Sequence, residues 1–545
     1  MDGHHGAQAG RGVVAEDDLL VGIGDHAFTV AALPSAVPHH YVREMRPSLR
    51  SVSVVVIAGA IAASVLVAPA TAATPTADAA RGTITWSDCP EKGFGGFECG
   101  TLTVPLDWDD LSNPANAEIA LAVKRATGKR KGYLSFNPGG PGESGLGSAA
   151  GVWSALPRNV RRGFDFVAWD PRGIGDSMPQ LQGCNAAPEP SYEPPVVGPV
   201  DWEALAQAMY DVQAARNTQC LDANPDVAPY LGTYYVIRDL EAMRTALGAR
   251  QWNFWGMSYG TRIGYRYARE YPDRVRTLIL DGAWSPNLSI TSWMNGATWN
   301  YATAQAIWSR LFGKKMAYRL QRVIDGLEVR TIPVPGGEFT RWSMVGRFWG
   351  NISVQAAYPD LTAFVNNAYK ALYGKSAKKR RAAAKTASEV LELLPRDDQS
   401  AALNIHFIQC RDIGEYPTVE AIARTASVAA RIESVASAQV ALTKGTFCAG
   451  LPQDFTYGYE PLTEALELPT PPVVINSLGD TRTEYVFGRT MANFMAGSSL
   501  ITYDGTQHVT YLQTPSRCIN HPVTRYLLKR TQPGQLLCHY APLLD

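Results

Sequence analysis

Apolar residues fall into two alternating rhythms along the first half of the chain. Short runs rich in β-branched and aromatic residues predict strands at Leu102–Leu106, Ile119–Val123, Gly132–Phe136, Phe164–Trp169, Gln251–Trp255 and Thr277–Leu280. Longer stretches predict helices at Asp201–Ala223, with Asp201 as N-cap, at Val236–Leu247 and at Tyr259–Tyr271. Pro188 to Pro199 is too rich in proline for either and predicts a loop. Strands alternating with helices predict an α/β fold, a mostly parallel sheet with helices on both faces. From about Pro286 to about Pro469 that rhythm stops. The stretch is Ala-rich and helical in pattern, with Trp293, Trp299, Trp308, Trp342 and Trp349 in its first part. Strand signals return at Pro472–Asn476 and Leu500–Tyr503. The expected organisation is a leader over 1–73, an α/β core over 74–285, a large inserted helical cap over 286–470, and the rest of the core over 471–545.

Length supports the insertion, because 545 residues exceed what one ordinary domain needs. Charge narrows the partners. Lys+Arg (50) equals Asp+Glu (50), so no basic excess points to nucleic acid or a membrane surface. The one basic cluster, Lys378-Lys379-Arg380-Arg381, reads as a solvated helix face.

The N-terminus reads as an address. Arg46 and Arg50 precede an apolar run from Val52 to Val67, and small residues follow at Ala68-Pro69-Ala70-Thr71-Ala72-Ala73. This is the layout of a secretory signal peptide spanning Arg46 to Ala73, with cleavage near Ala72 or Ala73. The run falls short of the about 20 apolar residues of a membrane span. A retained N-terminal anchor is the alternative, and Met45 is an alternative start. All eight cysteines follow the proposed cleavage site and none forms a C-x-x-C pair. Disulfides in an oxidising compartment are the expectation. Short loop closure favours the pairs 89–99, 184–220, 410–448 and 518–538. The protein is expected to be secreted, with no stable membrane association after cleavage.

The sharpest chemical signal is Gly256-Met257-Ser258-Tyr259-Gly260, a G-x-S-x-G between a predicted strand and a predicted helix. Such a turn is so tight that only glycine fits at its flanks, and it pushes the serine side chain into the open. Ser258 is therefore the candidate nucleophile of an α/β-hydrolase fold. A serine needs a base, and in this fold a histidine follows the last strands. His508, after Leu500–Tyr503, fits that order better than His406, His521 or His539. The acid belongs after a late strand, which selects Asp480, with Asp281, Glu484 and Asp504 as rivals. The oxyanion hole needs two backbone N–H groups. Tyr259 supplies one by position, and the loop Asn137-Pro138-Gly139-Gly140-Pro141-Gly142 supplies the other from Gly140, with Gly139 in reserve. Asp170-Pro171-Arg172-Gly173 reads as a structural turn at a strand end. The chain has no G-x-G-x-x-G at that turn, no H-E-x-x-H and no close His/Cys cluster, so neither a dinucleotide nor any other cofactor or metal is expected.

Taken together, these motifs resemble a known family. Asn137–Gly142, Asp170–Gly173, Gly256-Met257-Ser258-Tyr259-Gly260-Thr261, Leu280-Asp281-Gly282, Asp504–His508 and the Cys518/Cys538 tail are similar to the secreted tripeptidyl aminopeptidases and proline iminopeptidase-like enzymes of actinobacteria, α/β-hydrolase serine peptidases. The likeness runs from about Trp86 to the C-terminus and is weakest across the cap. It implies release of short peptides or single residues from free N-termini, with Ser258, Asp480 and His508 as the triad. It implies a cap that closes the site and reads the amino group. Two positions depart from the pattern. Glu484 stands where proline is usual, and Glu143 follows the Gly-rich loop where a small residue is usual. Glu143 is a candidate for binding a substrate ammonium; Asp412, Glu415 and Glu433 are further carboxylates of the cap without a specific warrant. The same triad also serves an esterase or lipase, and a non-catalytic binding protein on the same scaffold is a third reading.

Overall fold

The computed structural model describes residues 82–545 except 90–93, 185–187, 189, 395–402, 433–434, 459–460 and 543–545. The predicted signal peptide lies outside the described residues. Twelve strands follow in chain order: β1 (Ile84–Ser87), β2 (Glu98–Pro105), β3 (Asn116–Lys124), β4 (Gly132–Asn137), β5 (Phe164–Trp169), β6 (Trp252–Met257), β7 (Val275–Asp281), β8 (Ile332–Val334), β9 (Gly337–Phe339), β10 (Val473–Ser477), β11 (Ser499–Asp504) and β12 (Leu536–His539). Ten of them form one sheet in the order β1-β2-β3-β5-β4-β6-β7-β10-β11-β12. The pairings from β5 through β12 are parallel, while β1, β2 and β3 pair antiparallel at one edge.

The central strands are apolar on both faces, which is why they read as continuous hydrophobic runs. Every residue of β5 and β6 is buried. Alternation still sorts them. Phe254, Leu278 and Leu280 join the core on one face of the sheet, while Trp255, Ile279, Val473 and Ile475 join the core on the other. This sandwich of helix, sheet and helix is the predicted α/β-hydrolase architecture.

Between β7 and β10 the chain is mostly helical. Helices at Ile290–Phe312, Lys314–Val329, Tyr358–Tyr373 and Ala377–Leu393 share a core of their own around Trp308, Phe348, Trp349, Leu361 and Phe364. The hairpin β8–β9 interrupts this region. It was not expected from the helical pattern, and Pro335-Gly336 at its turn is the local reason it forms. Lys378 to Arg381 lie exposed on their helix, as a solvated face should. Among the described residues no helix is long and apolar enough to cross a membrane.

Four disulfides close the loops: Cys89–Cys99, Cys184–Cys220, Cys410–Cys448 and Cys518–Cys538. These are the pairs that short loop closure favours. The turn after β5 is structural, as expected. Asp170 accepts from Ser144 Oγ at 2.7 Å, Leu146 N at 3.0 Å and Asp176 N at 2.9 Å. Arg172 is buried against Asp239, with Nε–Oδ2 at 2.7 Å and Nη2–Oδ1 at 2.6 Å. Two buried charges meeting in this bidentate way fix the loop beside the Gly-rich segment.

Candidate active site

Ser258 occupies the turn between β6 and the helix Gly260–Glu270. Its φ is +52°, a region that residues with a side chain rarely adopt. The flanking glycines make the turn possible. A Cβ on Gly256 would lie 2.3 Å from Gly260 O, and one on Gly260 would lie 2.5 Å from Asn137 O. The turn is pinned by Ser258 N donating to Asp281 O at 2.9 Å and Thr261 N donating to Ser258 O at 2.9 Å. Ser258 is half-buried and opens into a cavity of about 1080 Å³. Gly140, Glu143 and His508 line the same cavity.

His508 arrives on the segment after β11. Its backbone N donates to Ser353 O at 2.8 Å, a contact from the helical region that no local pattern announced. Its Nδ1 is 2.8 Å from Asp480 Oδ2. Asp480 follows β10, is fully buried, and accepts from Arg482 N at 2.9 Å, Thr483 N at 3.1 Å and Thr483 Oγ1 at 2.9 Å. A carboxylate so held can only accept, so Nδ1 of His508 carries the proton and Nε2 is left as the acceptor. Gly282 packs under the ring, where a Cβ would come 3.1 Å from Cε1.

The rival acids have other occupations. Asp281 is buried and accepts from Thr510 N at 3.0 Å and Tyr511 N at 2.8 Å, which anchors the chain just past His508. Burial raises its carboxyl to about 6, against the pull of those hydrogen bonds. Asp504 pairs with Arg310 and lies 3.5 Å from Nδ1 of exposed His539. Glu484 is buried beside Asp480, with one carboxylate oxygen lacking a partner. Burial is the main cause that pushes it up to about 8; the charge of Asp480 adds to the shift and Lys444 opposes it.

In the Gly-rich loop, Gly139 N donates to Asn137 Oδ1 at 3.0 Å, and Gly140 lines the cavity. Gly139 presses against the elbow, with a Cβ there lying 2.8 Å from Ser258 Cβ and 3.2 Å from Tyr259 N. Tyr259 begins the helix, where N–H groups lack intrahelical partners. Among the described residues, Glu143 is the only candidate carboxylate for a substrate amine that lines the cavity. Asp412 is buried, accepting from Tyr259 Oη at 2.6 Å and Thr233 N at 2.8 Å and paired with Arg262 Nε at 3.2 Å. Glu415 is exposed away from the cavity, and Glu433 lies outside the described residues.

The cavity wall also holds Trp284, Trp293, Phe447, His406 and Gln409, with the cations Arg216, Lys444 and Arg482. The sequence marked Trp293 but not Trp284, and no spacing placed either in the cavity with Ser258.

Comparison with known proteins decides the family. Residues 134–314 match the α/β hydrolase fold, and residues 433–538 match the TAP-like protein family. Serine protease Hip1 of Mycobacterium tuberculosis is 31% identical over 489 residues, covering 83% of this chain and 89% of that protein. The chain belongs to the TAP-like family of actinobacterial α/β-hydrolases. It is a serine hydrolase by that membership. Tripeptidyl aminopeptidase of Streptomyces lividans is 36% identical over 230 residues, 40% of this chain and 41% of that protein. Carboxylesterase B of M. tuberculosis is 28% identical over 507 residues, 85% of this chain and 91% of that protein.

Proposed function

We propose that this chain is a secreted serine exopeptidase that releases short peptides or single residues from free N-termini through an acyl-enzyme. Ser258 attacks the scissile carbonyl while His508 Nε2 takes its proton. Asp480 holds the imidazole in the required tautomer and stabilises the imidazolium. The N–H groups of Gly140 and Tyr259 receive the developing oxyanion. His508 then protonates the leaving amine, and water admitted to the cavity frees the N-terminal fragment. The helical region over 286–470 acts as the cap. The observation that carries this reading is the 2.8 Å pair between His508 and buried Asp480, in one cavity with a serine on a strained elbow. The names of the TAP-like relatives support peptide as the substrate. Glu143, the one acidic side chain among the described residues of the wall, is the candidate partner of the substrate ammonium. The four disulfides support export to an oxidising compartment.

Ser258→Ala should abolish hydrolysis of peptide anilides with free N-termini while circular dichroism shows a folded protein. Full activity in that variant would overturn the nucleophile. The similarity to carboxylesterase B keeps an esterase as the second reading. Free and N-acetylated peptide anilides assayed beside nitrophenyl esters separate the two. Cleavage of the free peptides alone supports the exopeptidase, and cleavage of esters alone supports the alternative.

A further inference from the structure

Four ring contacts run from the proposed oxyanion donor along the cavity. Tyr259 to Trp284 is 5.5 Å between ring centroids, Trp284 to Trp293 is 5.0 Å, Trp293 to Phe447 is 5.7 Å, and Phe447 to His406 is 4.6 Å. His406 and Gln409 thus continue an apolar wall that begins beside the elbow. Both are 3% exposed, and each keeps one polar atom without a partner: Nε2 of His406 and Oε1 of Gln409. Leaving a buried polar group unpaired costs free energy, so such atoms invite a ligand.

The hydrogen-bond network fixes which of them donates. Asn217 Nδ2 donates to the backbone carbonyls of Phe447 at 2.9 Å and Ala449 at 2.8 Å. Its Oδ1 must then accept, and Gln213 Nε2 donates to it at 2.7 Å. The second proton of Gln213 Nε2 is aimed at His406 Nδ1, 2.8 Å away. A ring nitrogen that accepts carries no proton, so His406 holds its proton on Nε2, inside the cavity wall. Burial, with Arg216 and Lys444 adding to it, pushes the imidazole down to about 3, so it stays neutral through the working pH range. The result is a neutral donor anchored to backbone carbonyls, beside an acceptor on the next turn of the helix Leu403–Asp412.

We infer that His406 and Gln409 form a substrate subsite that binds an amide, whose carbonyl accepts from His406 Nε2 and whose N–H donates to Gln409 Oε1. The inference rests on the peptidase reading and deepens it. A neutral donor–acceptor pair suits an amide better than a lone charge, and a wall of indoles suits the side chains on either side of it. The amide is either a peptide unit of the substrate backbone or the carboxamide of an Asn or Gln side chain.

The test compares wild type with His406→Phe and Gln409→Met on tri-alanyl p-nitroanilide, the same tripeptide carrying glutamine, and p-nitrophenyl acetate. Labelling by a fluorophosphonate probe and circular dichroism check folding. The expected result is that kcat/KM for the tripeptides falls about tenfold or more beyond any fall on the acetate ester, the size of one lost hydrogen bond to a buried group. Equal loss on both tripeptides assigns the backbone as the source. Loss confined to the glutamine substrate assigns the side chain. An active enzyme whose variants keep the wild-type ratio of tripeptide to acetate activity overturns the subsite alone. A wild-type enzyme inert to every peptide anilide overturns the peptidase reading and the subsite with it.

Discussion

Asp480 and Glu484 are four positions apart and both buried, yet the structure treats them oppositely. Asp480 accepts from two backbone N–H groups, a hydroxyl and an imidazole. Replacing it with Asn places an amide where His508 needs an acceptor and favours the wrong tautomer. Asp480→Asn should therefore lower kcat by about 10³- to 10⁴-fold with little change in the fold, as steady-state kinetics on a peptide anilide would show. Glu484 keeps one carboxylate oxygen without a partner, and burial, opposed by a hydrogen bond from its own backbone N–H, raises it from 4.5 to about 8. Its folded pKa exceeds its unfolded one, so the folded state binds the extra proton. Stability is then full below about pH 4.5 and declines as pH rises towards about 8. Glu484→Gln removes that decline. The melting temperature of the variant, relative to wild type, should climb between pH 5 and pH 8; a pH-independent difference would contradict it. The triad candidates were legible because order along the chain and strand position single them out. The contact of His508 with Ser353 and the burial of Asp412 were not, since they depend on residues more than a hundred positions away.

At the scale of elements, apolar runs and turn chemistry carried most of the information. Phe164–Trp169 begins and ends where the pattern places it, and Asp201 caps its helix by accepting from Glu203 N and Ala204 N. Strands at the sheet's edges were missed for a physical reason. β1 is largely exposed and β12 is a short strand after Pro533-Gly534, so neither needs a strong apolar signature. The helix Gly145–Ala155, capped by Ser144, was missed because five of its residues are Gly or Ser, which are weak helix formers. The elbow is the element on which function turns, and it is packed without slack. Gly256→Ala should destabilise the protein by about 1–3 kcal/mol through overpacking against Gly260. Thermal unfolding of the variant checks this, and an unchanged melting temperature would show that the turn can relax.

Over the whole molecule, the disulfides tie distant pieces of the site together. Cys410–Cys448 joins the helix bearing His406 and Gln409 to the segment bearing Phe447, and closes a loop of 38 residues. Chain-entropy reasoning assigns such a loop about 3–4 kcal/mol. The double variant Cys410→Ala/Cys448→Ala should unfold at lower denaturant and lose tripeptide hydrolysis faster than labelling of Ser258. The division into sheet and helical region could be read from the switch in periodicity. How the helical region lines the cavity could not, because its aromatic residues have no fixed spacing relative to the elbow.

The proposed chemistry requires an acyl-enzyme formed at one serine. Intact-mass and peptide-mapping mass spectrometry after reaction with a fluorophosphonate probe tests it most directly. One adduct per chain, located on Ser258 and absent from Ser258→Ala, is the predicted result. An unlabelled folded protein, or an adduct on another residue that persists in Ser258→Ala, would contradict it.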